Sequence, residues 1–167
     1  MAASGINQLF SMYSNDVYHY IGYLIGFDEA EDLEQEVFIR AFYSWESYRG
    51  ESSRKTWLLS IARHTAADEL RKRKRKKIIR NLPLADRQIA DLGNTPDILY
   101  EINETNKELY MAILRLKESY RQVVILRGIQ EMSVQETAEI LNWRPEKVNI
   151  TLHRALHALK KEKERFL

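Results

Sequence analysis

The sequence predicts an all-α fold: two small helical domains joined by a flexible linker, the second carrying a helix-turn-helix. Three observations predict it. Apolar residues recur at helical spacing on both sides of the middle of the chain, with no strand-like alternation and no internal repeat. Two of the three prolines (Pro83 and Pro96) and Gly93 fall between residues 78 and 100, where that spacing fails. Near the C-terminus a short helical pattern, a break at "NWR" and a second helix opening on Pro145 follow one another closely. A chain of 167 residues has room for two small domains. The expected partition is 1–77, a linker over 78–100 that can hold one helical turn, and 101–167.

The first segment, Leu9 to Ile25, is apolar and Tyr-rich and reads as helix. "DEAEDLEQEVFIRAFYSWESY" follows, with Asp28 as expected N-cap and Glu31 three residues on, a variant of the capping box. Ala30, Leu33, Val37 and Ala41, with Phe38, Phe42 and Trp45 beside them, predict its buried side. "SYRGESSRK" (47–55) is a turn-rich break. "TWLLSIARHTAADELRKRK" (56–74) resumes as helix, with Leu59, Ala66 and Leu70 on one flank and Trp57, Ile61 and Thr65 on another. Ser60, Arg63, Ala67, Arg71 and Lys74 form a stripe facing outward. Beyond the linker, helices are expected at about 101–117, 119–130, 133–142 and 145–165. Ser133 and Glu136 make a capping box, and Pro145 sits at the first helical position, where its missing N–H costs nothing. In the last helix Val148, Leu152, Ala155, Leu156 and Leu159 define the expected buried side.

Charge is unevenly distributed. The chain has 26 basic and 24 acidic residues, a net of +2. Seven cations stand consecutively at 71–77; without them 19 basic residues face the same 24 acidic ones, a net of −5. Six acids lie within 28–36. Such polarisation creates local fields that attract partners of opposite sign. The cationic run alone fits a solvated helix end, a localisation signal or a nucleic-acid contact. The aligned stripe upstream favours the last, because an address signal needs none. The acidic face fits either solvated surface or a dock for a basic protein. The C-terminal pair fits an ordinary amphipathic hairpin or a DNA reader whose exposed Ile150, His153 and Arg154 meet base edges and phosphates.

Other classes find little support. There is no Cys, so no disulfide framework or thiolate site exists. No apolar run approaches 18 residues and no signal-peptide pattern opens the chain, so a cytoplasmic protein without direct membrane insertion is expected. His153 and His157 are spaced i, i+4 but lack a third ligand, and no metal is expected. His19 and His64 read as packing or capping residues. No phosphate-binding loop, nucleophile elbow or acid/base pair occurs, so no catalytic residue, cofactor or enzymatic activity is expected.

Taken in order, these segments resemble a bacterial RNA polymerase sigma factor of the extracytoplasmic-function (ECF) group, over nearly the whole chain. "EDLEQEVFIRAF" is similar to the helix that docks on the clamp helices of the polymerase large subunit. "TWLLSIARHTAADELRKR" is similar to the helix that addresses the minus-ten element, and residues 116–156 to the domain that reads the minus-thirty-five element. The resemblance implies core-polymerase contacts at Asp32, Gln35 and Glu36, with Leu33 and Phe38 supporting or joining them. It implies capture of an extruded minus-ten base by the loop from Tyr48 through Arg49 to Lys55, anchored by Trp57. Ser60, Arg63, His64, Arg71 and the basic residues that follow it, Lys74 among them, would line the DNA path. Lys147, Asn149, Ile150, His153 and Arg154 would read the minus-thirty-five duplex. Core RNA polymerase, promoter DNA and an anti-sigma factor are the implied partners. A stand-alone helix-turn-helix regulator that binds DNA without polymerase is the alternative.

Some positions depart from the family pattern. Lys117 stands where Pro commonly follows Leu, Arg54 where an aromatic is frequent, and His64 where Asn is frequent. Asn149 and Thr151 replace common cations, which implies a weaker phosphate grip by the C-terminal domain, with the run at 71–77 compensating.

Overall fold

A computed structural model describes residues 2–80 and 104–164, with side chains from 3 to 78 and from 106 to 164. The described residues form seven α-helices and no strand. In chain order they are α1 (Ala2–Ile25), α2 (Ala30–Ser44), α3 (Arg54–Arg80), α4 (Glu104–Arg115), α5 (Glu118–Val124), α6 (Val134–Leu141) and α7 (Pro145–Glu164). A 3-10 turn, Trp45–Ser47, follows α2, and a π-helical turn, Ile125–Ile129, follows α5. The chain divides into two compact units, Met1–Pro96 and Asp97–Leu167.

In the first unit α1, α2 and α3 each pack against the other two. Their apolar stripes supply the core: Leu9, Val17, Tyr20, Ile21 and Leu24 from α1, Val37 and Ala41 from α2, Leu58, Leu59, Ala62 and Ala66 from α3. The corner after α1 is tight. The Phe27 ring lies so close over Gly22 that a Cβ there would meet it at 2.0 Å, so only Gly admits the fold-back. That anchor moves the start of α2. Asp28 was the expected N-cap, but burial of Phe27 and Ala30 turns Asp28 outward. Glu29 occupies the cap, with no side-chain capping bond; its carbonyl accepts from Leu33 N–H at 2.9 Å. α3 opens two residues earlier than expected, with Ser53 Oγ accepting the Thr56 N–H at 3.1 Å. It also runs through Ile78 to Arg80, which the sequence assigned to the linker; the rest of that linker, and its single helical turn, lie outside the described residues.

The second unit packs α4 to α7 around Tyr110, Ile113, Ile125, Leu126, Ile140, Val148 and Ala155. The helix expected over 119–130 is present, but its last turn is π-helical rather than α-helical. From Ile125 the bonding widens: Gln130 N–H donates to Ile125 O at 2.8 Å, and Arg127 Nη1 satisfies Met132 O at 2.5 Å. The capping box of α6 is complete: Ser133 Oγ accepts the Glu136 N–H and Glu136 Oε1 accepts the Ser133 N–H, both at 3.0 Å. Asn142 closes the helix in the left-handed region (φ 56°), while Trp143 N–H reaches back to Ala138 O at 2.9 Å. Pro145 then opens α7, so the angle between α6 and α7 is fixed by local bonds at each end of the turn.

Candidate protein and nucleic-acid interfaces

α2 presents a mixed acidic and apolar face. Glu31, Asp32 and Gln35 are exposed, and Glu34 and Glu36 are half-buried. Partial burial, then the neighbouring Glu31 charge, pushes the Glu34 carboxyl above its ordinary value. Leu33 and Phe38 are 6% exposed, and Phe38 meets Phe10 edge-on at 5.0 Å. Burial gives these two the supporting role: they hold α2 against α1. Phe42, expected in the core, is 43% exposed. With Ile39 (56%) and Tyr43 (82%) it continues the face of Asp32 and Gln35. Sequence reasoning missed Ile39 and Tyr43. Their spacing of seven and eleven residues from Asp32 already put them on that face, but large apolar side chains read as core.

Past α2 the break at 48–53 is held by aromatic packing. Tyr48 and Trp57 lie 5.0 Å apart and Trp45 and Trp57 6.0 Å apart. Tyr48 Oη donates to Ser52 O at 2.5 Å, which closes the loop on itself. Trp45 rests directly on Gly5 of α1, where a Cβ would come within 2.4 Å of the indole. Arg54, the departure from an aromatic, sits with its guanidinium 6.0 Å from the Trp45 ring and Nη1 3.4 Å from Gln8 Oε1. A cation on an aromatic face does the packing an aromatic pair would do. Arg49 is exposed, while Lys55 is half-buried with Nζ 3.8 Å from an Asp16 carboxylate oxygen.

Along α3, Ser60 and Arg63 are half-buried and His64, Arg71 and Lys74 exposed, so the expected stripe shares one side. Ser60 Oγ donates to Thr56 O at 3.0 Å, and His64 Nδ1 lies 2.8 Å from Ser60 O. The cationic run, however, is divided. Arg71, Lys72, Lys74, Arg75 and Lys76 are exposed, while Arg73 is drawn inward and Lys77 is buried. Arg73 Nη1 donates to Ile25 O at 2.7 Å, Nε to Glu69 at 3.3 Å, and Nη2 lies 3.7 Å from Glu29. It thereby satisfies the negative end of α1. Nearby, Glu29 is held below its ordinary value chiefly by its hydrogen bond with Glu69, whereas burial, and then Glu29 itself, raises Glu69.

An alternating row of charges joins α2 to α3. Arg40 donates Nη2 to Glu36 at 2.7 Å and Nη1 to Asp68 at 2.9 Å, and Asp68 also accepts from Arg71. The hydrogen bonds from Arg71 and then Arg40 depress the Asp68 carboxyl below its ordinary value.

In the second unit, Lys147, Asn149, Ile150, His153 and Arg154 are all exposed on α7, with Ile150 at 53%. Lys147 Nζ stands 4.2 Å from the Trp143 ring, which steadies it beside the turn. A cleft of about 420 Å³ continues this face, lined by Tyr120, His153, Arg154, His157, Ala158 and Lys161. Among the described residues no group of three His, Cys, Asp or Glu could hold a metal. Leu156, expected in the core, is 52% exposed and lines a separate apolar groove of about 360 Å³ with Leu109, Ala112 and Leu159. Lys117, the departure from Pro, adopts φ −64° and ψ 155°, a conformation natural to Pro, and lays its Nζ 4.3 Å from the Tyr120 ring.

Comparison with known proteins bears on both units. Residues 9–76 match the family model Sigma-70 region 2, and residues 106–159 match Sigma-70, region 4. The chain is 40% identical over 159 residues to the ECF RNA polymerase sigma factor SigX of Bacillus subtilis, covering 93% of this chain and 82% of that protein. It is 31% identical to the ECF RNA polymerase sigma factor SigW of the same organism, covering 90% and 84%. Among solved structures, the sigma factor RpoE of Bartonella quintana, crystallised with the anti-sigma factor NepR, has the same fold, with a TM-score of 0.80 at 21% identity over 95% of this chain and 96% of that one. Among the described residues no helix is long and apolar enough to cross a membrane.

Proposed function

Because this chain belongs to the ECF group of the sigma-70 family of RNA polymerase sigma factors, we propose a division of labour among its faces for the family's task. The chain binds core RNA polymerase and directs promoter recognition and transcription initiation. Residues 1–77 would carry the polymerase and minus-ten contacts, and 101–167 the minus-thirty-five contacts, with 78–100 between them. Asp32, Gln35 and Glu36 would meet a basic surface of the polymerase, joined by Ile39, Phe42 and Tyr43. Tyr48, Arg49, Lys55 and Trp57 would form the capture site for an unpaired base, with Ser60, Arg63, His64, Arg71 and Lys74 along the DNA backbone. Unpairing a base costs a few kcal/mol, and a shaped aromatic pocket with cationic flanks offsets it. Lys147, Asn149, Ile150, His153 and Arg154 would read the duplex.

The observation that supports this division best is that one three-helix unit exposes an acidic, apolar-studded face on α2 and a cationic face on α3. On this reading the chain works in the cytoplasm, contributes no catalytic group, cofactor or metal, and is restrained by an anti-sigma factor. A stand-alone regulator is not favoured, since both sigma regions are matched in order.

In vitro transcription tests the reading. Core polymerase supplemented with the chain should initiate on a cognate promoter, and core alone should not. Tight, specific duplex binding by the isolated chain without any initiation would overturn it.

A further inference from the structure

The row Glu36, Arg40, Asp68, Arg71 connects a proposed polymerase contact to a proposed DNA contact through two residues assigned to neither. Its charges alternate: carboxylate, guanidinium, carboxylate, guanidinium. Arg40 splits its fork between Glu36 at 2.7 Å and Asp68 at 2.9 Å, and Asp68 splits its two oxygens between Arg40 and Arg71. The row spans two helices, since Glu36 and Arg40 lie on α2 and Asp68 and Arg71 on α3. Side-chain exposures are 45% for Glu36, 35% for Arg40, 44% for Asp68 and 69% for Arg71, so both ends are open to partners.

From this geometry we infer that Arg40 and Asp68 are positioning residues that couple polymerase binding to minus-ten DNA binding. In the free chain, Asp68 holds Arg71 and offsets its charge, so Arg71 is a poor phosphate ligand. A cationic polymerase group that takes Glu36 leaves Arg40 with Asp68 as its remaining carboxylate. Arg40 then engages Asp68 with both arms of its fork, the geometry a guanidinium prefers. Arg71 loses its claim on Asp68 and turns to a DNA phosphate. Linkage makes the effect reciprocal: DNA that takes Arg71 returns Asp68 to Arg40, which frees Glu36 for the polymerase. Because the pairs are partly solvated, the coupling is small, about two- to fivefold in affinity.

The inference rests on the proposed faces, and the experiment separates the two. Core affinity and salt-dependent promoter affinity are measured for the full chain and its holoenzyme with Glu36→Gln, Arg71→Gln and the double variant. Each single change should weaken its own partner. The double variant should depart from additivity by two- to fivefold, and Arg40→Lys should weaken the departure while retaining the fold, because lysine's single nitrogen lacks the two separated arms with which Arg40 reaches Glu36 and Asp68. Asp68→Asn should raise DNA affinity of the free chain two- to fivefold at low salt and leave holoenzyme affinity nearly unchanged. Circular dichroism melting checks that each variant folds, and Arg40→Lys remains the test if Asp68→Asn does not. Additive single effects with Arg40 and Asp68 intact would overturn the coupling and leave the proposed faces standing. No effect of Glu36→Gln on core binding would overturn both the α2 assignment and the coupling.

Discussion

At the scale of single residues, one step along a helix turns a side chain by about 100° and can separate a partner contact from the core. Asp32 and Leu33 are neighbours, yet one is exposed and the other 6% exposed. Asp32→Lys should therefore weaken core binding at least tenfold with an unchanged melting temperature, read by core pulldown and by calorimetry, because a like charge replaces an attractive one at an interface. Leu33→Ala should do the reverse, lowering stability by about 2–4 kcal/mol through lost packing while altering no charge. Asp68 supplies a pH prediction. Its carboxyl is depressed below 3.8 by Arg71 and Arg40, so its contribution to stability is present above that value and lost as pH falls through the lower folded one. Asp68→Asn should flatten the acid limb of thermal stability below about pH 4 and cost under about 1 kcal/mol near neutrality, given its exposure.

At the scale of elements, the basic run is the instructive case. Seven consecutive cations read as one patch, but a helix turns each by about 100°, so a run longer than one turn must also face its own bundle. Arg73 and Lys77 do so. Arg73→Gln should destabilise the first unit by about 1–2 kcal/mol, since it leaves Ile25 O and Glu69 without this donor and Glu29 without this cation, and should not change the salt slope of DNA binding. Lys72→Ala with Lys74→Ala should lower that slope by about one per lost phosphate contact and leave melting unchanged. In the second unit Ser133→Ala should cost about 1 kcal/mol by opening the capping box. The elements most legible in the sequence were those written in local chemistry: the Ser133–Glu136 box, the stop at Asn142 and the start at Pro145. The start of α2 was not, because a tertiary contact, Phe27 over Gly22, outweighed the local preference of Asp28. Phe42 and Leu156 were misread for a related reason. Periodicity gives the face a residue occupies, but not whether a neighbouring helix extends far enough to cover it.

At the scale of the whole molecule, two units of modest core share one chain and one template. Linkage turns the second contact with promoter DNA into an intramolecular event, so neither unit needs high affinity alone. The effect depends weakly on tether length. Inserting about 20 Gly and Ser residues between 81 and 103 should lower holoenzyme affinity for a two-element promoter only about threefold, by filter binding. A promoter that retains only its minus-ten element should not register the insertion.

The contact between Gly5 and Trp45 reaches further than its size suggests. One added methyl group, Gly5→Ala, would shove the indole off its seat and slacken the ring cluster beneath Tyr48 without touching any charge. Heat should magnify such a defect, which makes this codon a promising place to engineer a conditional allele: a gene-expression programme that runs in cool cultures and falls silent in warm ones.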